Sequence, residues 1–338
     1  MSSTRADLRL AFARHALSCP TLELESASAD ASFRSYWRTV GITPSRIVMD
    51  APPEREDLGP WLQVARQLNA ADIAAPQILA EDLQQGFLLL SDLGRQTLLP
   101  LLSQASVDGH YQSAIDTIVQ MQQRLDASGL PTYDHQRLTT EMELMPAWLL
   151  QKHLGYTPEC EEWDVIESAF QALLDNAAAQ PQAFVHRDYH SRNLMVQQDG
   201  TLAVIDFQDA VRGPITYDPV SLLRDCYIEW PDEQVYAWLD QYRQRLAAAG
   251  GPELDREQLN TWFDLMGLQR HIKVLGIFCR LWYRDAKPGY LGDLPLVWRY
   301  TQRVGRRYEK IRPLIELLER VIGERDLCQP VALQPEHA

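Results

Sequence analysis

No apolar run in this 338-residue chain approaches the roughly eighteen residues needed to cross a bilayer, so no membrane association is expected. Paired cysteine is missing too. Cys19, Cys160, Cys226, Cys279 and Cys328 are dispersed, odd in number and without a C-x-x-C pair. That argues against a disulfide framework and against a zinc site, and leads us to expect reduced, mostly buried thiols in a cytoplasmic protein. Positive charge is in deficit: 32 Lys and Arg against 46 Asp and Glu leave a net charge of -14. With no basic stripe to neutralise phosphates, nucleic acid is excluded as a partner. The N-terminus, MSSTRADLRLAFARHALSCP, carries charges where a signal peptide needs an apolar stretch. It reads as an amphipathic helix with Leu8, Phe12 and Leu17 broadly on one side. Repeats and low-complexity linkers are absent, and nothing points to an obligate protein partner.

What is present is an ordinary globular composition, 46% hydrophobic and 23% charged, in a chain long enough for one large domain or two lobes. Strands are expected at 21–26, 33–40, 45–50, 77–81 and 86–91, with a helix at 57–70 where Leu58, Leu62, Ala65 and Leu68 recur at helical spacing. After SDLG at 91–94 helical patterns dominate, at 106–127, 135–152, 161–179, 232–248, 255–284 and 295–323. Short strands at 184–186, 193–197 and 202–206 interrupt them. Strands first and helices afterwards argue for an α+β fold of two lobes: a small antiparallel-sheet lobe over 1–93 and a larger, mainly helical lobe over 94–338.

The chemistry is concentrated in FVHRDYHSRNLMVQQDGTLAVIDFQDA, residues 184–210. An apolar strand leads into His186, Asp188 and Asn193. A hairpin turned at Asp199-Gly200 then delivers Asp206 beside Phe207. Phosphoryl transfer needs a carboxylate to orient the acceptor hydroxyl and hard oxygen ligands to hold a magnesium ion, both on rigid supports. Asp188 suits the first role, Asn193 and Asp206 the second, and the hairpin returns Asp206 towards Asn193. Each residue alone has a structural explanation: a buried His-Asp pair, a turn asparagine, a strand-end cap. The ordered combination favours the site, with His186 bracing the loop by hydrogen bonding.

This stretch resembles the aminoglycoside phosphotransferase and choline kinase superfamily, distant relatives of the protein kinases. ASFRSYWR (31–38), IVMDAPPE (47–54), HRDYHSRNLM (186–195), IDFQDA (205–210), YDPVSLLRD (217–225) and HIKVLGIFCRLWYRDAK (271–287) bring the resemblance closer to the bacterial anomeric sugar kinases of cell-wall recycling. The resemblance covers most of the chain. It implies a protein-kinase-like fold, ATP and Mg2+ as cofactors, and an amino sugar acceptor, N-acetylmuramate or N-acetylglucosamine, converted to its 1-phosphate. Asp188 would be the catalytic base, a modest task because an anomeric hydroxyl is more acidic than an ordinary alcohol. Asn193 and Asp206 would hold the metal, and Asp218 would be structural, capping a helix over 219–229.

The resemblance also implies that adenine lies against the connector GFLLLSDLG, bonded by backbone groups around Ser91 and Leu93, with Ser32, Phe33 and Arg34 in the turn covering the phosphates. Two departures stand out. That turn, SASADASFRSY, has no glycine, and Met49 stands where a kinase carries its strand lysine. One or both of Arg34 and Arg38, evenly spaced, are expected to replace that cation, the alternative being a solvated pair on an exposed strand. The acceptor wall would draw on 270–287, chiefly Arg280, Tyr283 and Arg284, with His190 and Arg192 from the loop. A protein kinase is disfavoured, since only eleven residues separate Asp206 from Asp218 and no A-P-E follows. A kinase of an aminoglycoside or choline-like acceptor, and a silent ATP-binding regulator, are the alternatives.

Overall fold

The computed structural model describes residues 4–29 and 33–330. The chain forms two compact units, Met1–Ser113 with Arg192–Ala210, and Ala114–Ser191 with Val211–Ala338.

The first unit is built on a five-stranded antiparallel sheet of β1 (Glu23–Ala29), β2 (Ser35–Val40), β3 (Arg46–Asp50), β4 (Ile78–Asp82) and β5 (Phe87–Ser91), in the order β1-β2-β3-β5-β4. The central pair is apolar and buried, with Val48 and Met49 on β3 and Phe87 to Leu90 on β5. Gly86, at φ 72°, makes the turn into β5, where a Cβ would overlap the Ala51 carbonyl oxygen. Only glycine fits there. Helix α1 (Arg5–Ala16) starts in a capping box between Thr4 and Asp7. Of the expected face, Phe12 and Leu17 pack against the core, Phe12 stacked on Phe87, while Leu8 is 36% exposed and Arg9 and Ala13 are buried. The arginines add to this packing. Arg9 pairs with Asp50 at 2.9 Å and stacks on Trp37 at 3.6 Å, while Arg5 also pairs with Asp50 and lies 4.4 Å over Phe87. Helix α2 (Gly59–Ala70) buries Trp61, Leu62, Val64, Ala65 and Leu68 along one stripe.

The second unit is helical. Helix α3 (Val107–Arg124) runs into it from the first unit, followed by α4 (His135–Met142) and a π-helical segment, Met145–His153. A single helix over 135–152 is therefore not formed. Pro146 has no N–H to continue the ladder, and Gly276 brings another backbone against Leu144. Next come α5 (Cys160–Ala178), the strand β6 (Gln182–Val185), and, after the hairpin of β7 (Leu194–Val196) and β8 (Leu202–Val204) that belongs to the first unit, β9 (Val211–Pro214) paired with β6. Helices α6 (Tyr217–Leu223), α7 (Asp232–Ala248), α8 (Arg256–Tyr283), α9 (Leu294–Gly305) and α10 (Arg312–Ile322) complete the unit. The expected helix 295–323 is two helices, with Pro313 in the first turn of the second and Gly305 packed against Ile315. Helix α8 is the central element, packed on α4, α5, α6, α7, α9 and the π-helical segment, so even its polar residues Asp264, Gln269, Arg270, His271 and Lys273 are buried.

All five cysteines are free thiols, but only Cys226 and Cys279 are buried and Cys160 is exposed. No helix among the described residues is long and apolar enough to cross a membrane.

Candidate active site

In the first unit a cavity of about 530 Å³ opens beside the connector that follows β5. Ile47, Leu90, Met195 and Phe207 give it apolar walls, and Ser91, Asp92, Leu93 and Gly94 form its rim. The two residues expected to meet adenine differ. In Ser91 the N–H donates to the Gln77 carbonyl at 2.9 Å and the hydroxyl accepts from the Gln77 N–H, which leaves its carbonyl as the group to meet a base. Among the described residues, the Leu93 backbone groups have no backbone partner. That is the arrangement needed to bind the edge of a base.

The two arginines expected to replace the strand lysine also part company. Arg38, on β2, is committed to the connector: Nε donates to Asp92 at 2.6 Å, and Nη2 donates to Asp92 at 3.0 Å and to the Gly94 carbonyl at 2.7 Å. Arg34, just before β2, is buried and reaches to 3.7 Å from Asp206 Oδ1. The chain's first lysine is Lys152, so no lysine in the preceding sheet could have served. Met49 at the vacated strand position is fully buried. Ser32 lies outside the described residues. Phe33 is 59% exposed, lies off the cavity wall, and donates its N–H to Glu56 at 3.2 Å.

The metal candidates are brought together by the β7–β8 hairpin. Leu194 pairs with Val204, the Ile205 N–H donates to the Asn193 carbonyl at 3.1 Å, and Asn193 Nδ2 stands 3.5 Å from Asp206 Oδ2. Asp206 holds a left-handed φ of 64°, and Gln208 donates to its Oδ1 at 2.8 Å. Phe207 is buried with its ring 5.2 Å from Trp61 of α2, which fixes the strand end carrying Asp206. A carboxylate and an amide oxygen, presented once the Asn193 amide turns, form the partial hard-oxygen set that Mg2+ uses with phosphate and water. The residues fit such an ion. Among the described residues no cluster of three or more His, Cys, Asp or Glu offers a rival metal site.

The loop bearing Asp188 lies in the second unit and is held at both ends by carboxylates from one segment. Asp218 is fully buried in the first turn of α6 and accepts the His186 and Arg187 N–H groups at 2.7 and 3.0 Å. Asp225 accepts both the N–H and the hydroxyl of Ser191. The expected capping role of Asp218 is corrected here: α6 begins at Tyr217, its N-cap makes no side-chain bond, and both Asp218 oxygens go to the loop. His186 is buried with its ring edge-on to Tyr189, and it braces the loop through its backbone N–H. Arg187 adopts a left-handed φ of 75°, a strained conformation of the kind that persists when its surroundings over-determine it.

Those surroundings are a buried ionic cluster. Arg270 on α8 donates to the Arg187 carbonyl at 2.9 Å and stands 3.9 Å from Asp188 Oδ1. Lys273 pairs with Glu141 at 3.0 Å and donates to the Tyr217 hydroxyl at 3.2 Å. Arg187 and the Tyr133 hydroxyl also bind Glu141. Asp188 itself is 38% exposed, open enough to meet an acceptor. Burial alone would raise its carboxyl, but Lys273, Arg270, His190 and Arg187 outweigh it and hold it at about 2. Asp218 goes the other way: burial pushes it up to about 7 against the two N–H bonds it accepts.

The expected acceptor residues are scattered. His190 follows Asp188 in the loop and sets its ring edge-on to Tyr227 at 5.4 Å. Arg192 lies on the wall of the connector cavity, in the other unit. At the end of α8, Tyr283 bonds His153 at 3.0 Å and Arg284 pairs with the adjacent Asp285 at 2.9 Å. Arg280 is half-buried, and that burial lowers its pKa. The residues of this segment whose charges act on Asp188 are instead Arg270, 3.9 Å away, and Lys273. Their i, i+3 spacing places them on one helix face, a signal present in the sequence, but Glu141, the partner of Lys273, lies more than a hundred positions earlier.

A small antiparallel-sheet unit with a connector cavity, joined to a helical unit carrying a braced H-x-D loop, defines a phosphotransferase of the kinase-like type. The model of the APH family, the phosphotransferase enzyme family, matches residues 23–258, and the chain belongs to that family. It is 44% identical over 301 residues, 88% of each chain, to an N-acetylmuramate/N-acetylglucosamine kinase of Pseudomonas aeruginosa. A protein of the same name from Neisseria meningitidis is 39% identical over 311 residues, 90% of this chain and 92% of that one. Among solved structures, a putative aminoglycoside phosphotransferase from Ralstonia eutropha matches at TM-score 0.62 and 18% identity, over 88% of this chain and 97% of that one. The choline kinase LicA of Streptococcus pneumoniae matches at TM-score 0.61 and 11% identity, over 87% and 99%. At such identities these two show the fold alone.

Proposed function

We propose that this protein is a sugar 1-kinase that transfers the γ-phosphoryl group of ATP to the anomeric hydroxyl of N-acetylmuramate and N-acetylglucosamine, in the recycling of cell-wall peptidoglycan. The observation that carries this reading is the 39–44% identity, over about nine-tenths of the chain, to relatives bearing those two sugars in their names. Use of ATP fits work in the cytoplasm.

In this reading residues 1–93 cover the nucleotide, and residues 94–338 supply the catalytic loop, the metal site and the acceptor helices. Adenine lies in the connector cavity with its edge on the Leu93 backbone. Asn193 and Asp206 hold Mg2+, with Arg34 as the cation beside them. When bound, the ion neutralises charge on the phosphate oxygens. Arg192, on the cavity wall, serves the nucleotide as readily as the acceptor. Asp188 accepts a hydrogen bond from the sugar hydroxyl and aims its oxygen. Held at about 2, Asp188 is an anion at any working pH and a weak base, so it orients more than it abstracts. The hydroxyl proton leaves through Asp188 to solvent as the O–P bond forms and ADP departs. His190, Arg280, Tyr283 and Arg284 stay as candidates for the acceptor wall.

The test is acceptor-dependent ADP formation with N-acetylmuramate, N-acetylglucosamine, choline and kanamycin offered separately. Turnover with the amino sugars, lost in Asp188→Asn, is expected. Turnover confined to choline or kanamycin would overturn the substrate.

A further inference from the structure

Asp92 sits between Ser91 and Leu93 on the cavity rim, yet its carboxylate is wholly occupied by the protein. Arg38 Nε and Nη2 donate to it at 2.6 and 3.0 Å, Ser45 Oγ at 2.6 Å and the Gly94 N–H at 2.9 Å. Arg38 Nη2 also donates to the Gly94 carbonyl at 2.7 Å, so both backbone groups of Gly94 are tied to one ion pair. Gly94, at a φ of 100°, has the wide conformational freedom of glycine, and these two bonds select one conformation from it. The pair is no surface ornament: the Arg38 and Asp92 side chains are 10% and 7% exposed. Fork-to-carboxylate geometry of this kind fixes direction as well as charge. Consistent with it, the bond to Asp92 raises the Arg38 pKa, and the donors around Asp92 overcome the effect of burial and keep that carboxyl low.

We infer that Arg38 is a positioning residue for the nucleotide base: by clamping Asp92 and Gly94 it fixes the connector so that the Leu93 backbone meets adenine. It is not the cation for the phosphates. That role is left to Arg34, beside Asp206. The inference rests on reading the connector cavity as the nucleotide site.

Adenosine and ATP separate the two roles, because adenosine carries the base without phosphates. Affinities for each, measured by calorimetry in the presence of Mg2+, are compared for the wild type, Arg38→Ala, Arg38→Lys and Arg34→Ala. Arg38→Ala is expected to weaken adenosine and ATP by the same factor, tenfold or more. Arg38→Lys should not restore either, since an ammonium cannot form the fork. Arg34→Ala should weaken ATP alone. Should Arg38→Ala not fold, Ser45→Ala removes one donor to Asp92, and an equal few-fold loss for both ligands is expected. A loss for ATP with adenosine unaffected, in either variant, overturns the inference and leaves the nucleotide site standing. A wild type that binds neither ligand overturns both.

Discussion

Replacing Asp218 by Asn should reverse the order of stability between acid and mildly alkaline solution. Asp218 is fully buried and accepts two backbone N–H bonds from the catalytic loop. An amide keeps one acceptor and turns an NH2 towards the second N–H, which costs about 1–3 kcal/mol for a buried donor left without a partner. The carboxylate carries a different burden. A carboxyl moved from an ordinary 3.8 to about 7 loses about 4 kcal/mol of folding free energy across that range, at about 1.4 kcal/mol for each pH unit. A raised folded pKa means that the stabilising contribution is complete below pH ~4 and is lost as pH rises through ~7. The amide of the variant does not titrate and has no such dependence. Asp218→Asn should therefore be less stable than the wild type near pH 4 by about 1–3 kcal/mol, and as stable or more stable at pH 8. Urea unfolding midpoints at the two pH values read this directly. A stability difference that stays constant from pH 4 to pH 8 would refute the reasoning, because Asp218 would then titrate no differently in the folded and unfolded chain.

Arg270→Met removes the donor to the Arg187 carbonyl and should lower kcat by about a hundredfold, the usual cost of a small misplacement. Its KM for ATP should hold, because the connector cavity lies in the other unit, and steady-state kinetics with ATP varied check both. Gly276→Ala would drive a Cβ into the Leu144 backbone carbonyl, so a loss of about 3 kcal/mol in unfolding free energy is expected. Gly109→Ala, in α3 with nothing within 4 Å of the new methyl, should gain about 0.5–1 kcal/mol in the same assay. Chelation with EDTA should abolish turnover and added Mg2+ restore it. Asp206→Asn should need a higher Mg2+ concentration for half-maximal rate, read from a metal titration at saturating ATP.

Much of this architecture is local and was readable. The strands of the sheet, a hairpin turning through Asp199-Gly200 and the approach of Asp206 to Asn193 follow from apolar and β-branched runs and an Asp-Gly turn signal. The loop itself is three residues long, closed where the Gln197 N–H donates to the Thr201 carbonyl at 2.9 Å. What escaped depends on partners distant in sequence. Arg38 looks like a phosphate cation until Asp92, 54 residues later, claims it. Asp218 obeys a helix-cap rule only until the loop 31 and 32 residues upstream offers two N–H groups. Beside the packed Phe12 and Leu17, α1 also buries Arg9, because Asp50 and Trp37 receive it, which no apolar periodicity can signal. Two breaks were legible but overruled by the apolar pattern: Pro146 and Pro313 both stand in what reads as continuous helix. On α8, the charged residues read as a surface gripping a sugar include Arg270 and Lys273, which are instead buried beside the loop.

The most direct test of the central claim is where the phosphoryl group lands. Purified protein with ATP, Mg2+ and N-acetylmuramate, and separately N-acetylglucosamine, would be followed by phosphorus NMR. We predict a product phosphorus coupled to the anomeric proton, absent with Asp188→Asn. Phosphate on any other hydroxyl, or no sugar phosphate despite tight ATP binding, would contradict the account.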